Sequence, residues 1–216
     1  MLFRDRRDAG RQLAMRLDEY RGWRDVLVLA LPRGGVPVAA EIAARLGAPL
    51  DVWLVRKLGV PGSPELAMGA IASGGVEILN HDVIDSLQIP SAAVQGVAMR
   101  ERLELDRRNE AFRDGRAEPI VQRRIIVLVD DGLATGATME AAIASVRQLQ
   151  PKTIVVAVPV GASDTCARLR RLADRLLCAY ELTTFRAVGE HYADFAQTTD
   201  DEVRRLLAAH AALTAE

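Results

Sequence analysis

Apolar positions along the chain alternate between two rhythms. Short unbroken runs at 26–30, 50–55, 125–129, 153–158 and 176–180 read as strands buried on both faces. Between them, apolar residues fall at helical spacing. Leu13, Leu17 and Tyr20 share one face of a first helix ended by Gly22, and Ala39, Ile42, Ala43 and Leu46 share a face that stops at Gly47, a C-terminal cap. Val94, Ala98, Leu105 and Phe112 line a long charged helix over about 90–115. Met139, Ala142, Ile143, Val146 and Leu149 line the next helix, and another follows near 164–173. Val203, Leu206, Leu207, His210 and Leu213 make a closing amphipathic helix. The stretch 57–65 holds Gly59, Pro61, Gly62 and Pro64 and reads as a loop, while 66–72 and 76–79 flank Ser73-Gly74-Gly75 as a hairpin.

Strands alternating with helices predict an α/β fold: a mostly parallel central sheet with helices on both faces. Ligands of such sheets bind at the carboxyl ends of the strands, near a topological switch point, so the residues just after each strand carry the functional reading.

Composition narrows the class. With 216 residues, half of them apolar, the chain can bury a full core in one domain. Its 28 basic and 29 acidic residues argue against a dedicated nucleic-acid binder, although 100–108 forms a local basic patch. The 11 uncharged residues between Lys152 and Asp164 fall short of the roughly 20 that a membrane span needs. Cys166 and Cys178 form neither a disulfide framework nor a CxxC site, and read as buried thiols. His81, His191 and His210 lack metal spacing, so no protein metal site is expected. The first residues mix both charge signs, unlike a secretory or transit segment, and the cytoplasm is the expected compartment.

Three strand ends carry chemistry. The run 125–129 leads into Asp130-Asp131-Gly132, then Ala134-Thr135-Gly136-Ala137-Thr138 opens a helix. Unpaired N–H groups at a helix start, with Gly136 for close approach and two hydroxyls, make a cradle for a monophosphate. Two carboxylates just before it would repel that phosphate but accept hydrogen bonds from sugar hydroxyls, which suggests a ribose 5-phosphate lying across the turn. After the first strand, Pro32-Arg33-Gly34-Gly35 offers backbone donors and a fixed charge suited to a diphosphate. After the second, Arg56 and Lys57 precede the Gly- and Pro-rich segment, as a cationic clamp with a lid would. There is neither a GxxxxGK[ST] loop nor a GxGxxG loop.

The stretch 127–138 resembles the phosphoribosyl-pyrophosphate motif of type I phosphoribosyltransferases. Pro32-Arg33-Gly34-Gly35 is similar to their diphosphate loop, and the Arg56-Lys57 run to the lid start of adenine-type members. The resemblance implies a single domain over 1–216, with a core at about 25–162, a lid at about 57–79, and a small hood with the C-terminal helix at about 180–216. It implies transfer of 5-phosphoribose from phosphoribosyl pyrophosphate to a nitrogen acceptor, with Mg²⁺ held mainly by the substrate's diphosphate and ribose hydroxyls, in a homodimer. Asp130 and Asp131 would hold the ribose hydroxyls and 134–138 the 5-phosphate. Arg33, Gly34, Gly35, Arg56 and Lys57 would take the diphosphate, with a strained peptide expected at Arg33-Gly34.

The acceptor stays open. Ala134 stands where enzymes for 6-oxopurines carry Asp, and Ala72 and Ser73 stand where adenine-type enzymes carry a lid Glu, leaving Glu65 as the only acid of the lid loop. Phe185, His191, Tyr192 and Phe195 are candidates to stack on a base, or else staple the C-terminal helix. The alternatives are a regulatory protein that binds phosphoribosyl pyrophosphate without turning it over, and a phosphohydrolase using Asp130. The latter lacks the DxD arrangement.

Overall fold

Successive side chains of a strand point to opposite faces, and in the central strands both sets are apolar, so both faces need a cover. The computed structural model describes residues 1–213, with side chains through Ala211; residues 214–216 of the expected hood and the Leu213 side chain lie outside it. In chain order the elements are α1 (Arg6–Ala14), β1 (Val26–Ala30), α2 (Gly35–Leu46), β2 (Leu50–Val52), β3 (Val55–Val60), β4 (Ser63–Ala72) and β5 (Val76–Leu79). Then come α3 (His81–Ser86), α4 (Ser91–Arg113), β6 (Ile125–Val129), α5 (Ala137–Gln148), β7 (Thr153–Ala162), α6 (Ser163–Leu169), β8 (Arg175–Leu182) and α7 (Asp200–Leu213).

Five strands form a parallel sheet in the order β2-β1-β6-β7-β8, bearing out the expected architecture. Val26, Val28, Val127 and Val129 face a core built with α1, α2, α4 and α7, whereas Leu27, Leu29, Ile126 and Leu128 face α5 and α6. The chain order reverses between β1 and β6. Their carboxyl ends therefore flank the switch point, where the acid pair and the Arg33 loop emerge.

Two expectations are corrected. The strand at 50–55 is two strands: β2 leaves the parallel sheet at Trp53, whose buried ring donates Nε1–H to Ser145 Oγ at 2.9 Å, and Val55 opens a second sheet. The stretch 57–65 is a hairpin, because only Pro61 and Gly62 form its corner, Gly62 with φ of 83°. Proline before glycine suits a tight turn, so the residues on either side stay extended and pair. Strands β3, β4 and β5 make an antiparallel sheet beside the parallel one.

Arg113, at the end of α4, ties that helix to β2 of the parallel sheet. It donates to Asp51 Oδ1 at 3.0 Å, to the Val52 carbonyl at 2.8 Å and to Asn109 Oδ1 at 2.6 Å. His210 is a core histidine, as expected, with Nε2 2.9 Å from the Ala48 carbonyl. No helix among the described residues is long and apolar enough to cross a membrane.

Candidate functional site at the switch point

The Arg33 loop and the acid pair pack as one unit. Leu31 N–H donates to the Val129 carbonyl at 2.8 Å, which carries the pairing of β1 and β6 past their ends. Gly35 then crosses so near β6 that a Cβ would stand 2.6 Å from the Val129 oxygen and 3.0 Å from Asp130 Cα. The cis peptide of this loop joins Pro32 to Arg33, one bond before the expected position. The Arg33 side chain is half-exposed and reaches Asp200 at the start of α7, at 3.5 Å.

Asp130 and Asp131 differ in their partners. Asp130 Oδ1 accepts the Asp131 N–H at 2.9 Å; burial first, and the Asp131 carboxylate second, push its pKa well above 3.8. Asp131 is raised too, chiefly by burial, against the hydrogen bond and charge of Arg6, whose Nε donates to Oδ2 at 2.7 Å. Arg6 also donates to the Ala196 carbonyl at 2.7 Å and lies 3.8 Å above the Phe195 ring. Tyr192 donates its hydroxyl to the Asp131 carbonyl at 2.6 Å.

The following turn is built open. Gly136 has φ of 74°, in the left-handed region, and directly precedes α5, which no side chain caps. Behind the turn, Thr165 donates to the Ala134 carbonyl at 2.7 Å and Arg168 donates to the Thr135 carbonyl. With those oxygens drawn onto α6, the N–H groups of the first turn of α5 are left to a ligand. Ala134, Thr135, Ala137 and Thr138 are all exposed.

The two cations of β3 part company, since adjacent strand residues face opposite ways. Lys57 is exposed and lines a cleft of about 600 Å³ with Ala137 and Glu140 of α5. Arg56 turns to α4, where Nε meets Glu101 at 2.7 Å. In the basic patch, Arg102 is paired with Glu77, and Arg107 and Arg108 with Glu104. Glu65 is exposed beside the hairpin corner, and Ser73 is buried, accepting the Leu54 N–H at 3.0 Å.

The segment expected as a hood packs against the N-terminal end of the chain. Phe3 bridges to Tyr192, and the Tyr192 ring stacks at 5.4 Å on Phe3 and at 5.0 Å on Phe195. Tyr192 and Phe195 thus pack on the N-terminal segment and the acid turn rather than serving only to staple α7. Phe185 lies 5.2 Å from the His191 ring, and His191 Nε2 has no partner among the described residues. Sequence reasoning passed over Arg6 and Phe3, as well as Thr165 and Arg168. The first pair sits in a run of mixed charges, and the second pair carries no motif.

A parallel sheet with an acid pair, a glycine-flanked loop and an open helix start at its switch point defines the class: a doubly wound α/β protein of the type I phosphoribosyltransferase fold. Residues 4–194 match the phosphoribosyl transferase domain, and the chain belongs to that family. It is 52% identical over 202 residues to "Putative phosphoribosyl transferase Rv0571c" of Mycobacterium tuberculosis, covering 94% of this chain and 45% of the relative. The chain thus spans about half the length of the curated relative it matches. The crystal structure of TT1426 from Thermus thermophilus is 43% identical, with a TM-score of 0.86 over 97% of this chain and 99% of that one. AQ2163 of Aquifex aeolicus, 11% identical with a TM-score of 0.52 over 94% of this chain and 85% of that one, shares the fold.

Proposed function

We propose that the chain transfers 5-phosphoribose from phosphoribosyl pyrophosphate to a nitrogen acceptor, probing its substrate at the switch point. The observation that carries this is the packing of the Arg33 loop against Asp130 and Asp131, with the open start of α5 directly after them. Three anion- or hydroxyl-binding elements then follow one another in the order diphosphate, ribose, 5-phosphate.

In this reading Asp130 and Asp131 accept the ribose hydroxyls, and 134–138 hold the 5-phosphate far from the reacting carbon. That anchor fixes C1 for attack. The acceptor nitrogen forms a bond to C1 as the bond from C1 to the diphosphate oxygen breaks. Pyrophosphate leaves with that electron pair, and the nitrogen gives up its proton to solvent. Arg33 and Lys57 neutralise the departing charge, the β3–β4–β5 sheet serving as lid. Asp130 has no cationic side chain hydrogen-bonded to it among the described residues, so its carboxylate suits Mg²⁺ held with the substrate's own oxygens. When bound, that ion would add positive charge at the diphosphate. Ala134 brings no proton-transfer group, which supports an acceptor other than a 6-oxopurine. Met99 and Leu103, exposed one turn apart on α4, support self-association.

A second reading, a sensor of phosphoribosyl pyrophosphate, is favoured by the pairing of Arg56 with Glu101, which leaves the clamp one cation fewer. One experiment tests both. The chain is incubated with phosphoribosyl pyrophosphate, Mg²⁺ and a panel of nucleobases and amines, and pyrophosphate is measured beside calorimetric binding. Turnover that disappears in the Asp130→Asn, Asp131→Asn double variant is expected. Tight binding without pyrophosphate selects the sensor, and binding unchanged in the double variant overturns both readings.

A further inference from the structure

Cys166 and Cys178 stand twelve positions apart in the sequence, on α6 and β8. In the fold their sulfur atoms and a carboxylate oxygen of Glu181 all lie within 4.8 Å of one another. Both thiols are free. Cys166 is buried, Cys178 half-buried and Glu181 exposed, so the cluster has a closed floor and an open mouth. Room for the sulfurs comes from Gly161 of β7, which pairs with Glu181 across the sheet. A Cβ at Gly161 would stand 2.8 Å from Cys166 Sγ and 3.4 Å from Cys178 Sγ. The Tyr180 carbonyl oxygen, 3.2 Å from Cys178 Sγ, adds a neutral donor at the same place.

We infer that Cys166, Cys178 and Glu181 bind one thiophilic divalent cation of the zinc class. Two thiolates with one carboxylate form a donor set that favours zinc over the hard cations magnesium and calcium. Tetrahedral zinc with bonds of about 2.3 Å to sulfur holds two sulfurs about 3.8 Å apart, inside the 4.8 Å that bounds the separations here. The fourth position falls to water or to the Tyr180 carbonyl. Charge also closes: three anionic ligands exceed a divalent cation by one, and Arg170, paired with Glu181, supplies the remaining positive charge. A carboxylate beside two thiols is what a cation needs and what a disulfide does not.

The location gives the ion a task. Leu133 N–H donates to the Val160 carbonyl at 2.9 Å, and the Ala162 N–H returns to Leu133 at 2.9 Å. Thr165, the neighbour of Cys166, holds the Ala134 carbonyl. An ion joining α6 to β8 therefore braces, from behind, the turn that carries 134–138. The binding itself does not depend on the phosphoribosyl reading.

Cobalt(II) tests the inference, because thiolate ligands give it a near-ultraviolet charge-transfer band and tetrahedral geometry gives it intense visible bands. The full chain, reduced and stripped with a chelator, is titrated with Co²⁺ and then with Zn²⁺. Both bands are expected at one equivalent, with zinc displacing cobalt. Cys178→Ser, at the half-buried position, should halve the charge-transfer band, whereas Glu181→Gln should keep it and weaken zinc binding roughly tenfold or more. Circular dichroism of each variant establishes that it is folded. The spectrum of octahedral aqueous cobalt, or a charge-transfer band undiminished by Cys178→Ser, overturns the inference.

Discussion

Gly34 lies against the Asp131 carboxylate with no room for a side chain: a Cβ there would stand 2.0 Å from Oδ2 and 2.6 Å from Cγ. Its φ of −59° is one that any residue adopts, so proximity and not backbone freedom demands glycine. Gly34→Ala must drive the carboxylate away from Arg6. Such overpacking typically costs about 1–3 kcal/mol. Urea melts should register that loss, and calorimetry should find phosphoribosyl pyrophosphate binding at least tenfold weaker. A variant with native affinity would mean that the position of Asp131 does not matter to the ligand.

Arg6 and Asp131 are an ion pair only 11% and 14% exposed. Breaking one partner out of a buried pair costs on the order of 3 kcal/mol, because the other charge is left without compensation. Arg6→Met keeps an apolar stem over Phe195 and removes the charge. Without Arg6 the Asp131 pKa rises further, so at low pH the carboxyl is neutral and the pair is missed less. The destabilisation measured by urea melts should therefore be larger at pH 8 than at pH 5. Equal losses at the two pH values would show that the hydrogen bond from Arg6 to the Ala196 carbonyl, not the charge paired with Asp131, is what matters.

Asp130 gives the opposite sign for stability and for binding. Burial and Asp131 raise its pKa well above 3.8, so the folded protein holds this proton more tightly than the unfolded chain. The contribution to stability is fully present below the unfolded value of 3.8 and is lost as pH rises through the folded value. Asp130→Asn removes that dependence. Its melting temperature should exceed that of the unaltered chain, by more at pH 8 than at pH 5, while binding of phosphoribosyl pyrophosphate falls. A melting temperature below the unaltered chain's at pH 8 would show that the carboxylate is stabilised where it sits.

How much of this was legible in the sequence depends on how local each feature is. The strand, the acid pair and the open helix start occupy consecutive positions 125–138, so their geometry follows from their order. The alternation that places Val127 and Leu128 on opposite, equally apolar faces was equally plain. Arg6 was not, because its partner lies 125 positions away and nothing marks one arginine among Arg4, Arg6 and Arg7. Glycine and proline at 59–64 read as a loop because their turn preference is visible and the pairing of the flanking strands is not. The cysteines looked unrelated for the same reason, since the packing of α6 against β8 brings them together.

Lys57 and Arg56 separate two versions of the clamp. Because Lys57 is exposed in the cleft beside Ala137, Lys57→Ala should leave the melting temperature within experimental error. If Lys57 meets the departing diphosphate, kcat should fall roughly a hundredfold, the scale on which a positioned charge acts in a transition state. Arg56 is turned away and held by Glu101, so Arg56→Ala should alter stability more than turnover. Steady-state rates for the two variants, taken with whichever acceptor the screen identifies, decide the matter. A large loss of kcat in Arg56→Ala with none in Lys57→Ala would mean that the lid sheet turns its other face to the substrate during turnover.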